Sequence, residues 1–275
     1  MEVRKEGSLI LLKGQKMAKI NDLNLENWKD ISLNTDSLRI ISERKKWGKH
    51  SNFYHWNFVP QIPNEFIQRY TKQDDRIFDP FLWSATSAIE CEELKRNIVW
   101  IDIQKNLIDR AQDLIGQIIK RHFICGDSSS DFIKERIQKI LIQEWVAWFQ
   151  LSFLHPPYAD IIKFSDDPKD LSNYKNLEDF YAQFWAVVRN TFDLTKKWWY
   201  LVVVIGDKYQ GGEWIPLGFW CMQRVLETWF KLKSIVVKNM EWNRAKLGSW
   251  GIWRYRALNS DYFIFKHEYI LIFKK

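Results

Sequence analysis

The sequence predicts an α/β protein: a mostly parallel sheet of seven strands with helices on both faces. From about residue 76 onward, short β-branched or aromatic runs alternate with longer amphipathic stretches, the pattern of βαβ units. The chain has 275 residues, enough for one compact domain with a sizeable core. It shows no internal repeat, low-complexity tract or Pro/Gly-rich linker that would divide it.

In order, the strands are predicted at Arg76 to Leu82, Asn97 to Ile103, His122 to Gly126, Phe149 to Leu154, Trp199 to Gly206, Lys233 to Asn239 and Glu268 to Phe273. Helical patterns fill the gaps at Ala88 to Lys95, Asn106 to Lys120 and Leu177 to Leu194. Residues 1 to 50 are polar and mixed in charge and read as an N-terminal extension, with Glu43-Arg44-Lys45-Lys46 as a solvated turn or helix end.

Composition narrows the function classes. Hydrophobic residues make up 46% and charged residues 27%, near the globular average, and the longest apolar run, Trp198 to Ile205, is far short of the ~20 residues of a membrane span. The charged N-terminus carries only the short apolar stretch Leu9 to Leu12, so a cytoplasmic location is expected. Three scattered cysteines (Cys91, Cys125, Cys221) suggest neither a disulfide framework nor a metal site. A net charge of +7 favours a polyanionic partner.

In open α/β sheets ligands bind beyond the carboxyl ends of the strands, which directs attention to four loops. The first, Asp79-Pro80-Phe81-Leu82-Trp83-Ser84-Ala85-Thr86-Ser87, is a turn of mostly small residues before a helix, suited to exposing backbone N–H groups toward a carboxylate; an ordinary βα turn reads equally well. Asp102 follows about twenty residues later, where a carboxylate can accept from both ribose hydroxyls or cap a helix. Asp127, at the end of the third strand, can accept from an adenine amino group or act as a cap.

The fourth strand runs into His155-Pro156-Pro157-Tyr158. Consecutive prolines make a rigid loop that presents hydrogen-bond acceptors, suited to holding an exocyclic base amine while Tyr158 stacks on a flipped base. A plain Pro-Pro turn is the alternative.

Taken together and in this order, Asp79-Pro80-Phe81, Ser84, Thr86, Asp102, Asp127 and His155-Pro156-Pro157-Tyr158 resemble the motifs of the N4-cytosine/N6-adenine DNA methyltransferases. Upstream, His55-Trp56-Asn57-Phe58-Val59-Pro60 looks like that family's cofactor-flanking motif. The likeness continues through Ile161 to Asp167, Val204 to Tyr209, Trp253 to Arg256 and Lys266 to Tyr269, and so runs from about residue 47 to 275.

The resemblance implies a Rossmann-like class I methyltransferase fold with an antiparallel last strand, filling residues 51–275, with small recognition elements within 159–178 and 208–265. It implies S-adenosylmethionine as cofactor, held by Asn57, Phe58, Asp79, Pro80, Phe81, Trp83, Ser84, Thr86, Asp102 and Asp127, and His155 to Tyr158 as the catalytic loop. Double-stranded DNA is the implied substrate, contacted by Arg244, Lys246, Trp253, Arg254 and Arg256, with a homodimer and a cognate restriction endonuclease as further partners. Where the family usually opens its tetrapeptide with Asp, Asn or Ser, this chain has His155, which leaves the choice between adenine and cytosine open. An RNA or protein amino-methyltransferase would share the cofactor half and the Pro-Pro-Tyr loop.

Trp83 stands where the family places the first glycine of its cofactor loop, and Trp100 stands before Ile101-Asp102 where the family usually has glycine. Trp56, Trp198, Trp199, Trp229, Trp242 and Trp250 also occupy natural glycine places at turns and caps. The chain has 16 tryptophans and only 11 glycines; eight exchanges would raise glycine to 19, about the average expectation. A codon read as glycine in the source and rendered here as tryptophan accounts for this pattern, with Trp214 and Trp253 as genuine tryptophans. Taken literally, Trp83 points instead to a cofactor-impaired DNA-binding relic.

Overall fold

The computed structural model describes residues 19–50, 58–240 and 250–275. In chain order the elements are β1 (Leu38–Arg39), α1 (Gln61–Tyr70), β2 (Arg76–Asp79), α2 (Thr86–Glu93), β3 (Asn97–Asp102), α3 (Lys105–Leu114), β4 (Arg121–Cys125), α4 (Asp131–Gln143) and β5 (Phe149–Leu154). There follow α5 (Leu177–Leu194), β6 (Thr195–Ile205), β7 (Lys208–Gln210), β8 (Glu213–Ile215), α6 (Leu217–Leu226), β9 (Lys231–Asn239), α7 (Trp250–Leu258) and β10 (His267–Lys274).

The main sheet runs β1-β9-β10-β6-β5-β2-β3-β4, and β7 and β8 form a separate antiparallel hairpin. Strands β6, β5, β2, β3 and β4 are parallel to one another, while β10 runs antiparallel between β6 and β9. All seven expected strands are present. The sheet nevertheless has eight, because Leu38 and Arg39 add a short parallel strand at the β9 edge, too brief to leave a period in the sequence. The expected helix over Asn106 to Lys120 ends at Leu114, where Ile115 takes an extended conformation.

Alternation along the strands explains the helices on both faces. In β3, Ile98 and Trp100 join one core with Ile62, Phe66, Ile67, Ile89, Ile108 and Ala111 of α1, α2 and α3. Their neighbours Val99 and Ile101 face the opposite way, onto Ile133, Ile137 and Leu141, a stripe at every fourth residue of α4. In β6, Val202 and Val204 belong to the first core, whereas Leu201, Val203 and Ile205 pack with Phe180, Phe184, Val188 and Cys221 of α5 and α6. Central strands buried on both faces read as continuous apolar runs, which is why they were legible.

The segment 19–50 packs on this domain. Arg39 pairs with Glu65 at 2.5 Å. The buried Glu90 carboxylate accepts from Trp47 Nε1 (3.2 Å) and Asn64 Nδ2 (2.7 Å), and His50 Nε2 lies 2.5 Å from it. The run Glu43 to Lys46 forms no helix and is largely exposed.

Candidate functional site: the cleft between β2 and β5

Strand order reverses between β2 and β5: β3 and β4 extend the sheet on one side, β6 and β10 on the other. A crevice beyond the strand ends at such a point is the usual ligand site of open α/β sheets. Asp79 is the last residue of β2 and His155 follows the last residue of β5, so the sheet register brings the two candidate loops together. They touch directly, Trp83 Nε1 donating to the His155 carbonyl at 2.7 Å.

The three acids sit at three successive strand ends in different surroundings. Asp79 is 1% exposed and turned into its own loop, accepting from the Phe81 N–H at 3.0 Å and from the Ser87 hydroxyl. Burial pushes its pKa up to about 7, against the lowering effect of those two donors. Asp102 accepts from the backbone N–H groups of Gln104 (2.9 Å) and Trp83 (3.2 Å), and burial raises its pKa to about 6. Asp127 accepts from the backbone N–H and hydroxyl of Ser129, at 2.9 and 2.6 Å. Neither of these two acids is the N-cap of the following helix, since Gln104 and Ser130 occupy those positions. Ser84 Oγ and Thr86 Oγ1, at the start of α2, are buried without a hydrogen-bond partner, a cost that a bound anion would relieve.

His155, Pro156, Pro157 and Tyr158 are all buried. The imidazole packs between Phe58 (5.0 Å between ring centres), Tyr158 (6.0 Å) and Trp83 (6.2 Å), and its Nδ1 has no partner. Burial lowers the His155 pKa to about 4, so at neutral pH it is an uncharged acceptor. The Tyr158 hydroxyl donates to Glu268 Oε2 at 2.9 Å, and Glu268 Oε1 lies 2.6 Å from Lys238 Nζ on the adjacent strand. Burial and the Glu268 carboxylate hold the phenol well above its usual pKa, while Lys238 and its neighbours bring Glu268 below the usual glutamate value despite full burial. Tyr158 also rests on the backbone of Gly206, where a Cβ would come within 2.8 Å of its ring.

Phe81, Trp83, Asp102, Asp127 and Pro157 line one cleft together with Gly126 and Phe164, but it encloses only about 50 Å³, against the 300 Å³ or more of an ordinary cofactor pocket. The Trp83 indole, edge-on to Phe164 at 4.5 Å, takes up the room. The polar lining suits S-adenosylmethionine; with Trp83 in place, the space does not.

Asn57, Arg244 and Lys246 fall outside the described residues. Trp253, Arg254 and Arg256, the expected DNA contacts, lie on helix α7 between β9 and β10 in the chain, where Arg256 stacks over Trp253 at 5.5 Å. Sequence reading missed Glu268 and Lys238 as functional neighbours, although each is a charge set in an apolar strand, which is the signal that marks them.

The strand order and the antiparallel β10 define a Rossmann-like class I methyltransferase fold. Residues 10–113 match the family model described as DNA methylase, of the N6/N4 methyltransferase type, a match that begins within the N-terminal fifth. Over 162 residues the chain is 25% identical to the Type II methyltransferase M.MjaII of Methanocaldococcus jannaschii, covering 53% of this chain and 29% of that protein's length. Both matches cover part of the chain, and in both the chain is similar to DNA methylases, the direction in which the motifs also point. Among solved structures, TrmN from Thermus thermophilus is 12% identical with a TM-score of 0.49, over 79% of this chain and 49% of that one. A SAM-dependent methyltransferase from Methanosarcina mazei is 13% identical with a TM-score of 0.46, over 76% and 96% of the two chains.

Proposed function

We propose that the protein transfers a methyl group from S-adenosylmethionine to the exocyclic amino nitrogen of a base flipped out of double-stranded DNA, at adenine N6 or cytosine N4. One observation carries the reading: a neutral, buried and unpartnered His155 Nδ1 follows β5 in a rigid Pro-Pro loop at the reversal point of the sheet. Such a nitrogen accepts one amine hydrogen, and the Pro156 carbonyl is the natural acceptor for the other. Positioning of this kind needs neither metal nor covalent nucleophile on the protein side.

In this reading Asp102 and Asp127 receive the ribose and adenine of the cofactor, whose sulfonium supplies the methyl group. Ser84 and Thr86 receive its carboxylate, and Pro80, Phe81, Phe58 and Asn57 flank it. Asp79 acts indirectly, by fixing the turn through Phe81 and Ser87. Arg244, Lys246, Trp253, Arg254 and Arg256 contact the DNA backbone. The methyltransferase domain spans 51–275 behind an N-terminal extension, with recognition elements within 159–178 and 208–265; a homodimer and a cognate endonuclease complete the proposed assembly. The filled cleft favours a second reading for the literal sequence, a DNA-binding protein with an impaired cofactor site.

The test is transfer of label from methyl-labelled S-adenosylmethionine to duplex DNA and to RNA, using the Trp83→Gly protein alongside the parent. Label in DNA, recovered after digestion as N6-methyladenine or N4-methylcytosine, supports the reading and names the base. Label in RNA alone overturns it.

A further inference from the structure

We infer that residues 83, 145, 198 and 229 are glycine in the protein as its source makes it, and that glycine at 83 is what opens the cofactor cleft. Among the described residues, eight that are not glycine have positive φ, and four of them are tryptophan: Trp83 (50°), Trp145 (58°), Trp198 (74°) and Trp229 (71°). Only a few per cent of non-glycine residues adopt such angles, and a bulky side chain there is an outlier. From 16 tryptophans, fewer than about one would be expected.

Each of the four occupies a place that backbone geometry reserves for glycine. Trp145 closes α4: its N–H donates to Ile142 O (3.0 Å) and the Val146 N–H donates to Leu141 O (2.9 Å). This is the Schellman pair of hydrogen bonds, whose left-handed residue is usually glycine. Trp229 ends the turn after α6, its left-handed backbone N–H donating to Leu226 O at 3.1 Å. Trp198 is the left-handed residue of a bulge, since Trp198 N donates to Lys275 O (2.8 Å) while Lys275 N donates to Trp199 O (2.9 Å), two residues against one. Trp83 lies in the tight β2–α2 turn, two residues before the left-handed Ala85.

The side chains agree with the backbone. The indoles of Trp145, Trp229 and Trp198 are 95%, 83% and 60% exposed and contribute little to the core. Trp83 is the exception, buried with its Nε1 donating to the His155 carbonyl, so its assignment stands on φ alone; Trp214 is absent from the positive-φ set, as a genuine tryptophan should be. The glycine assignment extends the compositional expectation to Trp145, and the backbone gives no such sign at Trp100 or Trp199. One codon read as glycine at these positions accounts for all four.

The assignment itself stands on backbone geometry; its consequence for the cofactor rests on the function proposed above. Peptide mass mapping of the protein purified from its source cells reads the four positions directly. Glycine masses at 83, 145, 198 and 229, with tryptophan at 214, confirm the inference; tryptophan masses at the four overturn it. In recombinant protein, Trp145→Gly, Trp198→Gly and Trp229→Gly should each raise Tm by about 2–4 °C, because left-handed strain is relieved. The control Trp214→Gly should lower it, and a fall in all four variants tells against the assignment. Calorimetric titration of Trp83→Gly with S-adenosylmethionine then separates the two ideas: glycine masses with no binding leave the assignment standing and sink the methyltransferase reading.

Discussion

Tyr158 and Glu268, 110 residues apart in sequence, are joined by a 2.9 Å hydrogen bond from phenol to carboxylate. The bond ties the loop after β5 to β10, the strand that Lys238 of β9 flanks.

Removing Lys238 leaves Glu268 as a buried carboxylate with only Tyr158 as donor. Loss of one partner from such a pair costs roughly 3–5 kcal/mol. Lys238→Met should therefore lower the unfolding free energy in urea by about that amount, whereas Lys238→Met combined with Glu268→Leu should recover part of it. Glu268 has a depressed folded pKa, so its contribution is present above the unfolded value near 4.5 and is lost as pH falls through the lower folded value.

His155 and Asp79 should impose opposite pH dependences. The folded His155 pKa near 4 lies below the usual imidazole value of 6.5, so the unfolded chain binds the proton first and stability falls as pH drops from about 6.5 to 4. At 1.36 kcal/mol per unit, this difference approaches ~3 kcal/mol, and His155→Gln should remove it. Asp79, raised to about 7, makes the folded state bind its proton first, so its contribution is complete below about pH 4 and is lost as pH rises to 7. Asp79→Asn should flatten that limb. Urea midpoints of the three proteins between pH 4 and 8 give both differences.

Gly206 follows β6, and a Cβ there would meet the Tyr158 ring at 2.8 Å. Gly206→Ala should displace the phenol from Glu268 and cost about 1–3 kcal/mol by overpacking. A near-ultraviolet dichroism change in the tyrosine band, with unchanged far-ultraviolet signal, is the expected signature. An unchanged tyrosine band would show that the ring tolerates the methyl group.

Arg254 and Arg256 are exposed on α7. If they neutralise phosphates, Arg254→Ala with Arg256→Ala should weaken duplex binding equally for all sequences. The slope of log affinity against log salt should also fall by about 2. An unchanged slope would remove α7 from the DNA contact.

How much of this was legible depended on whether a signal was local. Strands β2, β3, β5 and β6 announced themselves because burial on both faces writes a continuous apolar run, and α5, whose bounds match the expected ones, is capped by Asn176. Strand β1 is two residues long and exists through its partner in β9, which no local pattern reports. The loops carrying Asp79, Asp102, Asp127 and His155 were legible as strand-end motifs. Their real partners were not, since Glu268 meets Tyr158 and Trp83 meets His155 only across the folded sheet. Trp145 escaped notice for a related reason: a left-handed angle is invisible until the backbone is traced.

The short strand β1 also has a consequence for how the molecule meets its own copies. Ser37 O accepts from Val237 N at 2.8 Å, and the Asn239 side chain clasps both backbone groups of Ile41. The outer hydrogen-bonding row of β9 is thus partly occupied, and β4 forms the opposite margin of the sheet. There the Arg121 guanidinium donates to Gln112 O and His122 pairs with the Glu144 carboxylate, placing the charges of Arg121 and Glu144 along that margin. Strand-to-strand polymerisation is thereby discouraged at both ends, by occupancy at one and by charge at the other.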